Sequence, residues 1–212
     1  MSRDPRRPRL YVLADASRFG PDRLPSAVAE MAEAGVRWIQ LRLKAGWSDA
    51  LLFRVASECR RRLEGSETAL WIDDRADLAR LLSASGLHLG QADLPPAAAR
   101  RILAPNCEIG LSTHHLEQVR AAEVDGAVDV VAFGPIFSTA SKPNPDPVVG
   151  LEGLRSARAA TSKPLVAIGG IDASRSAEVL AAGADAVAVI AAVSPEQVSG
   201  SCRALLAAVG GA

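Results

Sequence analysis

The sequence predicts a single (β/α)8 TIM barrel, an α/β fold in which eight parallel strands close on themselves inside a ring of helices. Short β-branched apolar runs alternate along the chain with longer stretches of helical spacing, the pattern of repeated β-α units. The runs number eight, the closed count for such a barrel. No nucleotide-binding glycine fingerprint follows the first run, which argues against an open doubly wound sheet.

The strand runs are residues 10–14, 36–41, 69–72, 86–89, 108–111, 128–133, 165–168 and 186–190. Each is nearly continuous in apolar residues, as a parallel strand covered on both faces should be. Helices are expected to begin near Leu24, Ser48, Asp74, Pro95, His114, Leu151, Ser174 and Pro195. Ser48 and Ser174 are candidate N-caps, and Gly35, Gly126 and Gly183 fall where helices should stop. Residues 32–35, 122–126 and 181–185 resemble one another as a helix end turning into a strand, a weak echo of the β-α unit and no solenoid repeat. The connection 134–150, rich in Pro, Ser and Thr, is the one long loop, and such loops are often functional.

Composition bounds the partners. With 212 residues, 49% hydrophobic and 4% aromatic, the chain can bury one sizeable core of Leu, Val, Ile and Ala, so residues 10–212 form one barrel domain. The 24 basic and 24 acidic residues cancel, leaving no global field to hold a nucleic acid or an anionic membrane, and any phosphate binding must be local. Residues 1–9 carry four arginines and two prolines, the reverse of a secretory signal, and read as a flexible basic N-terminal tail. The longest apolar stretch, 184–193, is interrupted by Asp185 and falls short of a membrane span. Cys59, Cys107 and Cys202 lack the paired spacing of zinc or redox motifs and fit a reducing cytoplasm.

In a barrel the chemistry comes from the carboxyl ends of the strands. The second run ends in Gln40-Leu41-Arg42-Leu43-Lys44, whose alternate side chains share one side and offer an amide, a guanidinium and an ammonium to a polyanion. The alternative is an ordinary polar strand end with solvated charges. Asp73-Asp74 and Asp93 bring carboxylates from adjacent strands to one rim, a set suited to Mg²⁺, although Asp74 alone would also serve as a helix cap or a partner for Arg75. Ser112-Thr113-His114 offers hydroxyls to a phosphate or to a helix cap, while His88 and His115 have no metal-like spacing and read as structural. His114 reads as a first-turn surface residue with an acid-base role as the alternative. Thr139, Ser141 and Lys142, on the long loop, suit a lid over an anionic leaving group. Gly170 and the Ile190-Ala191 amides end the seventh and eighth runs, where barrels commonly hold a phosphate at helix N-termini.

Assembled, these residues resemble the thiamine phosphate synthase family across nearly the whole chain from Tyr11 onward. The family's Gln-x-Arg-x-Lys segment is similar to Gln40, Arg42 and Lys44, its Asn-Asp-Arg to Asp73-Asp74-Arg75, and its Gly-Val-His-Leu-Gly-Gln-x-Asp to residues 86–93. Its Gly-Pro-Ile-Phe-x-Thr-x-Thr-Lys loop resembles residues 134–142, and its Ala-Ile-Gly-Gly-Ile turn residues 167–171. The resemblance implies a Mg²⁺-dependent transfer of a pyrimidinylmethyl group from its diphosphate to the ring nitrogen of a thiazole phosphate, a step of thiamine biosynthesis. It implies Asp74 and Asp93 as metal ligands, and Arg42, Lys44, Ser112 and Lys142 as the catalytic groups on the departing diphosphate. It further implies Gln40 and Asp73 at the pyrimidine substrate and Thr139, Ser141, Gly170, Ile190 and Ala191 at the thiazole phosphate.

The chain departs from the family pattern at Asp73 for Asn, Leu43 for Glu, Ser141 for Thr and Ala191 for Ser. Two alternatives remain beside the transferase: a thiazole tautomerase using His114, and a barrel that binds thiamine precursors without turnover. In each case the partners are small molecules, with no nucleic acid and no membrane, and a homo-oligomer is compatible with the sequence.

Overall fold

Eight short parallel strands alternate with eight helices in a computed structural model that describes residues 7–44, 46–139 and 146–210. The strands are β1 (Leu10–Asp15), β2 (Trp38–Arg42), β3 (Ala69–Asp73), β4 (Gly86–Leu89), β5 (Glu108–Thr113), β6 (Val130–Phe133), β7 (Leu165–Ile168) and β8 (Ala186–Val189). The helices are α1 (Ala16–Glu33), α2 (Asp49–Arg62), α3 (Ala76–Leu81), α4 (Pro96–Arg100), α5 (Leu116–Val124), α6 (Gly150–Ala160), α7 (Ala173–Ala181) and α8 (Val198–Ala208). Each strand pairs with its sequence neighbour, and β1 pairs with β8 through Leu10 opposite Val187 and Tyr11 opposite Ala188, closing the predicted barrel.

Local chemistry explains the elements. In α2, Leu52, Val55, Ala56 and Cys59 recur at helical spacing and are buried against the sheet. Ser48 caps that helix by accepting from the Leu51 amide, Asp49 lies in its first turn, and Arg60, Arg61 and Arg62 fill its last turn, in accord with the helix dipole. Gly35 and Gly183 follow helix ends with positive φ as expected, whereas Gly126 does not. The cap of α7 is Asp172 and not Ser174: the Asp172 carboxylate accepts from the Arg175 amide at 3.1 Å and from the Ser174 hydroxyl at 2.7 Å.

Other boundaries move for identifiable reasons. α1 starts at Ala16 and not near Leu24, because Asp15 ends β1 and caps an extra turn that Gly20 then breaks. β2 and β6 begin two residues later than their apolar runs. α3 starts at Ala76 and α8 at Val198, each past its expected start.

Two apolar layers result, one between strands and helices and one inside the barrel. Inside, Tyr11 stacks on Trp38 with ring centroids 4.3 Å apart, and Trp71 meets both rings edge-on at 5.8 and 5.3 Å. Neighbouring strands make room with glycine: a Cβ on Gly86 would lie 2.3 Å from the Trp71 indole, and one on Gly110 3.1 Å from it. Beneath the stack, Arg7 bonds Glu108 at 2.7 and 3.2 Å with its guanidinium 5.8 Å from the Trp38 ring centroid. The Arg9 carbonyl accepts from the Val187 amide, and the remainder of the expected basic tail, 1–6, lies outside the described residues. The barrel is therefore filled at its amino end, and the open volume is at the carboxyl end.

No helix among the described residues is long and apolar enough to cross a membrane. Cys59, Cys107 and Cys202 are free and buried, and burial pushes their thiols up to about 12, about 11 and about 11. Such thiols are poor nucleophiles at neutral pH.

Candidate active site

The carboxyl ends of all eight strands converge on a cavity of about 560 Å³. Period-two alternation along β2 and its extension brings Gln40, Arg42 and Lys44 to this wall together, so they are not scattered solvated charges. Gln40 is buried at the floor, where its Nε2 donates to the Tyr11 hydroxyl at 2.8 Å and its Oε1 has no hydrogen-bond partner among the described residues. Arg42 donates to the buried Asp15 carboxylate, which also accepts from the Ser17 amide at 2.9 Å. Asp15 and Arg42 are Cα partners in the β1–β2 register, so the pair is set by strand alignment.

Three carboxylates gather beside these cations. Lys44 Nζ lies 2.8 Å from Asp74 and 3.6 Å from Asp73, and the Arg42 Nε lies 3.8 Å from Asp73. Burial first, then the Asp74 charge, pushes the Asp73 carboxyl up to about 7, and its Oδ2 accepts no hydrogen bond from the described residues. Asp74 is also raised, by burial and by a hydrogen bond and charge from Asp93, while Lys44 opposes the shift. The Lys44 ammonium is raised despite burial, because both aspartates favour its charged form.

Asp74 serves neither of its structural alternatives. The N-cap of α3 is Arg75, and the Arg75 guanidinium pairs with Asp77 and Asp49. Asp74 instead adopts φ 61°, a strained conformation for a non-glycine residue, with its carboxylate facing Lys44 and Asp93. Asp93 also accepts from the Gly90 amide at 2.7 Å. Two mutually repelling carboxylates from adjacent loops suit a small dication that takes one or two protein carboxylates and completes its shell with water and phosphate. No cluster of three or more His, Cys, Asp or Glu arranged for a metal occurs among the described residues.

On the β4–β5 side, Ser112 faces the cavity with its hydroxyl 2.9 Å from His88 Nε2, while its carbonyl accepts from Gln91 at 2.6 Å. His88, read from sequence as structural, lines the cavity, and burial lowers its imidazole to about 4, so it is neutral near pH 7. His114 also lines the cavity, with Nδ1 2.8 Å from the Gly134 carbonyl and 3.5 Å from Asp146, and is not a free surface residue.

Across the cavity lie Thr139, Gly170, Ile190 and Ala191, which also border an adjoining cavity of about 560 Å³. Gly170 has φ +62°, and a Cβ there would sit 2.5 Å from the Ser138 carbonyl, so only glycine lets the two loops pass this closely. β7 leads directly into α7 as expected, though with Asp172 as the cap, but a turn at 190–197 separates β8 from α8, so Ile190 and Ala191 do not adjoin a helix N-terminus. Ser141 and Lys142 lie outside the described residues.

Asp15 and Tyr11 are contributors that the sequence did not single out, and His88 is one that it assigned a structural role. Asp15 carries the same signal as the others, a carboxylate at a strand's carboxyl end, one residue beyond the expected end of the first strand.

A family model described as thiamine monophosphate synthase matches residues 10–193. The chain belongs to this family. It is 47% identical over 188 residues to a thiamine-phosphate synthase of Koribacter versatilis, covering 87% of this chain and 88% of the relative. Its identity to one of Methanocella arvoryzae is 43% over 205 residues, covering 94% of each. The solved thiamine phosphate pyrophosphorylase of Pyrococcus furiosus superposes with a TM-score of 0.83 at 35% identity over 95% of both chains.

Proposed function

We propose that this chain is a thiamine-phosphate synthase, a transferase that joins 4-amino-2-methyl-5-(diphosphooxymethyl)pyrimidine to a thiazole phosphate and releases diphosphate. The observation that carries this reading is the pairing of Arg42 and Lys44 with Asp73 and Asp74, beside Asp93, on one wall of a cavity whose opposite wall is Gly170, Ile190 and Ala191. Two separated anion sites fit two phosphorylated substrates better than one.

In the proposed reaction the methylene carbon–oxygen bond breaks and its electron pair leaves on the diphosphate. The thiazole ring nitrogen then gives its lone pair to the resulting pyrimidinylmethyl cation. Arg42 and Lys44 bind the diphosphate and stabilise the charge that grows as it leaves, an electrostatic role already organised by Asp15 and the aspartates. Ser112, oriented by His88, donates a further hydrogen bond, and the family resemblance adds the Lys142 charge to the groups that stabilise the same anion. Gln40 Oε1, unpartnered at the floor, accepts from the pyrimidine amino group. Asp73 lies against the same substrate, and Thr139, Ser141, Gly170, Ile190 and Ala191 hold the thiazole phosphate.

Asp74 and Asp93 would hold Mg²⁺, which supplies further charge neutralisation at the diphosphate when bound. Three buried free thiols support a cytoplasmic working place. Incubation with both substrates and Mg²⁺ should release diphosphate stoichiometrically with thiamine phosphate. Isomerisation of the thiazole phosphate without diphosphate release would instead establish a tautomerase, and metal-dependent binding without either product a non-catalytic barrel.

A further inference from the structure

The adjoining cavity is bordered by Asp15, Asp172 and Arg18, and Arg18 is the one cationic side chain among the described residues that line it. Both acids are already supplied with donors: Asp15 by Arg42 and Ser17, Asp172 by the Ser174 hydroxyl and the Arg175 amide. The nearby Arg175 is committed elsewhere, donating to the Gly170 carbonyl at 2.6 Å with its guanidinium 4.7 Å from the Phe137 ring centroid. Arg18 uses one nitrogen, Nη2, on the Val193 carbonyl at 3.0 Å, in the turn that follows Ile190 and Ala191. A guanidinium has five N–H donors, so the fork keeps further donors for the cavity it shares with Gly170, Ile190 and Ala191, while its charge also acts on Glu196 in the turn after β8.

We propose that Arg18 is a specificity-determining residue that binds the phosphomonoester of the acceptor and distinguishes it from the unphosphorylated alcohol. A dianionic phosphate bordered by two carboxylates needs a fixed cation, and backbone amides at Gly170, Ile190 and Ala191 carry no net charge. Anchoring to Val193 fixes the guanidinium where a charge-assisted, bidentate contact forms with little further loss of side-chain freedom. The inference rests on the proposed transferase reading of the same site.

The test compares wild type with Arg18→Ala, Arg18→Lys and Arg18→Gln. Arg18→Ala should raise KM for the thiazole phosphate on the order of 10- to 100-fold, the loss expected for one charge-assisted hydrogen bond, and leave KM for the pyrimidine diphosphate unchanged. Turnover of the thiazole alcohol should be unaffected, so the preference for the phosphate collapses, while Arg18→Lys retains part of it. Arg18→Gln keeps a donor for the Val193 carbonyl without the charge, carries the same expectation, and serves if Arg18→Ala fails to fold.

An acceptor KM within twofold of wild type in both neutral variants overturns the proposal, as does an equal loss towards phosphate, alcohol and pyrimidine, which marks a purely structural role. Calorimetric binding of the thiazole phosphate alone separates this inference from the transferase reading. Binding to wild type that weakens in Arg18→Gln, with no diphosphate release in turnover, keeps Arg18 and removes the transferase. Diphosphate release with unchanged acceptor binding in Arg18→Gln does the reverse, and absence of both acceptor binding and diphosphate release in wild type removes both.

Discussion

Asp15 holds Arg42 across the β1–β2 register, and through it the strand alignment of the barrel sets the position of a cation at the cavity wall. The same carboxylate caps α1 through the Ser17 amide. These two roles separate in Asp15→Asn, because Asn caps a helix about as well as Asp but brings no charge. The variant should melt close to wild type and lose about 10- to 100-fold in kcat/KM for the pyrimidine diphosphate, the scale of one lost charge-assisted hydrogen bond. Thermal melting and steady-state kinetics together check this; equal loss of both quantities would assign Asp15 to stability alone.

Asp74→Asn should raise the half-saturating Mg²⁺ concentration about tenfold or more, the lower range seen when a metal site loses a supporting group. Titration of activity with Mg²⁺ measures it, and unchanged metal dependence would remove Asp74 from the metal site.

His88 makes stability pH-dependent. Its imidazole is held near 4 in the fold against 6.5 for an ordinary histidine, because burial disfavours the charged form. The unfolded chain therefore binds more protons between these values, so stability present above about pH 6.5 falls as pH drops towards 4. The full shift corresponds to about 3 kcal/mol. Denaturant midpoints of wild type and His88→Gln across this range should converge as the pH falls.

Gly170→Ala places a methyl 2.5 Å from the Ser138 carbonyl at φ +62°. The left-handed conformation alone costs about 1–2 kcal/mol in a residue with a Cβ. Stability should drop by at least that amount by chemical denaturation, and KM for the thiazole phosphate should rise with little change for the pyrimidine diphosphate.

Gly86→Ala drives a methyl into the Trp71 indole, with a 2.3 Å contact to be relieved. Overpacking of this kind costs about 1–3 kcal/mol. Near-ultraviolet circular dichroism should report the displaced tryptophan alongside the lowered midpoint.

The barrel was legible because β-branched runs and helical spacing alternate without interruption from β1 to α8. Gln40, Arg42 and Lys44 were legible because a strand's period places alternate residues on one face, a property local to five residues. The His88–Ser112 contact was not legible, since it joins residues 24 apart and depends on the β4–β5 register that sets His88 opposite Gly110. The left-handed backbone at Asp74 was equally hidden, because a helix start at that position reads well from composition alone. Lys142 and Ser141, the loop residues singled out from sequence, lie outside the described residues.

The stacked Tyr11, Trp38 and Trp71 rings, with Arg7 beneath them, make the barrel a cul-de-sac. Among the described residues Gln40 is reached from the carboxyl-end cavity, and under the proposed transferase reading both substrates share that mouth. On that reading a pyrimidine seated on the floor is covered by the acceptor that follows it, and the order of traffic through the shared doorway is imposed by the aromatic side chains that fill the far end of the barrel.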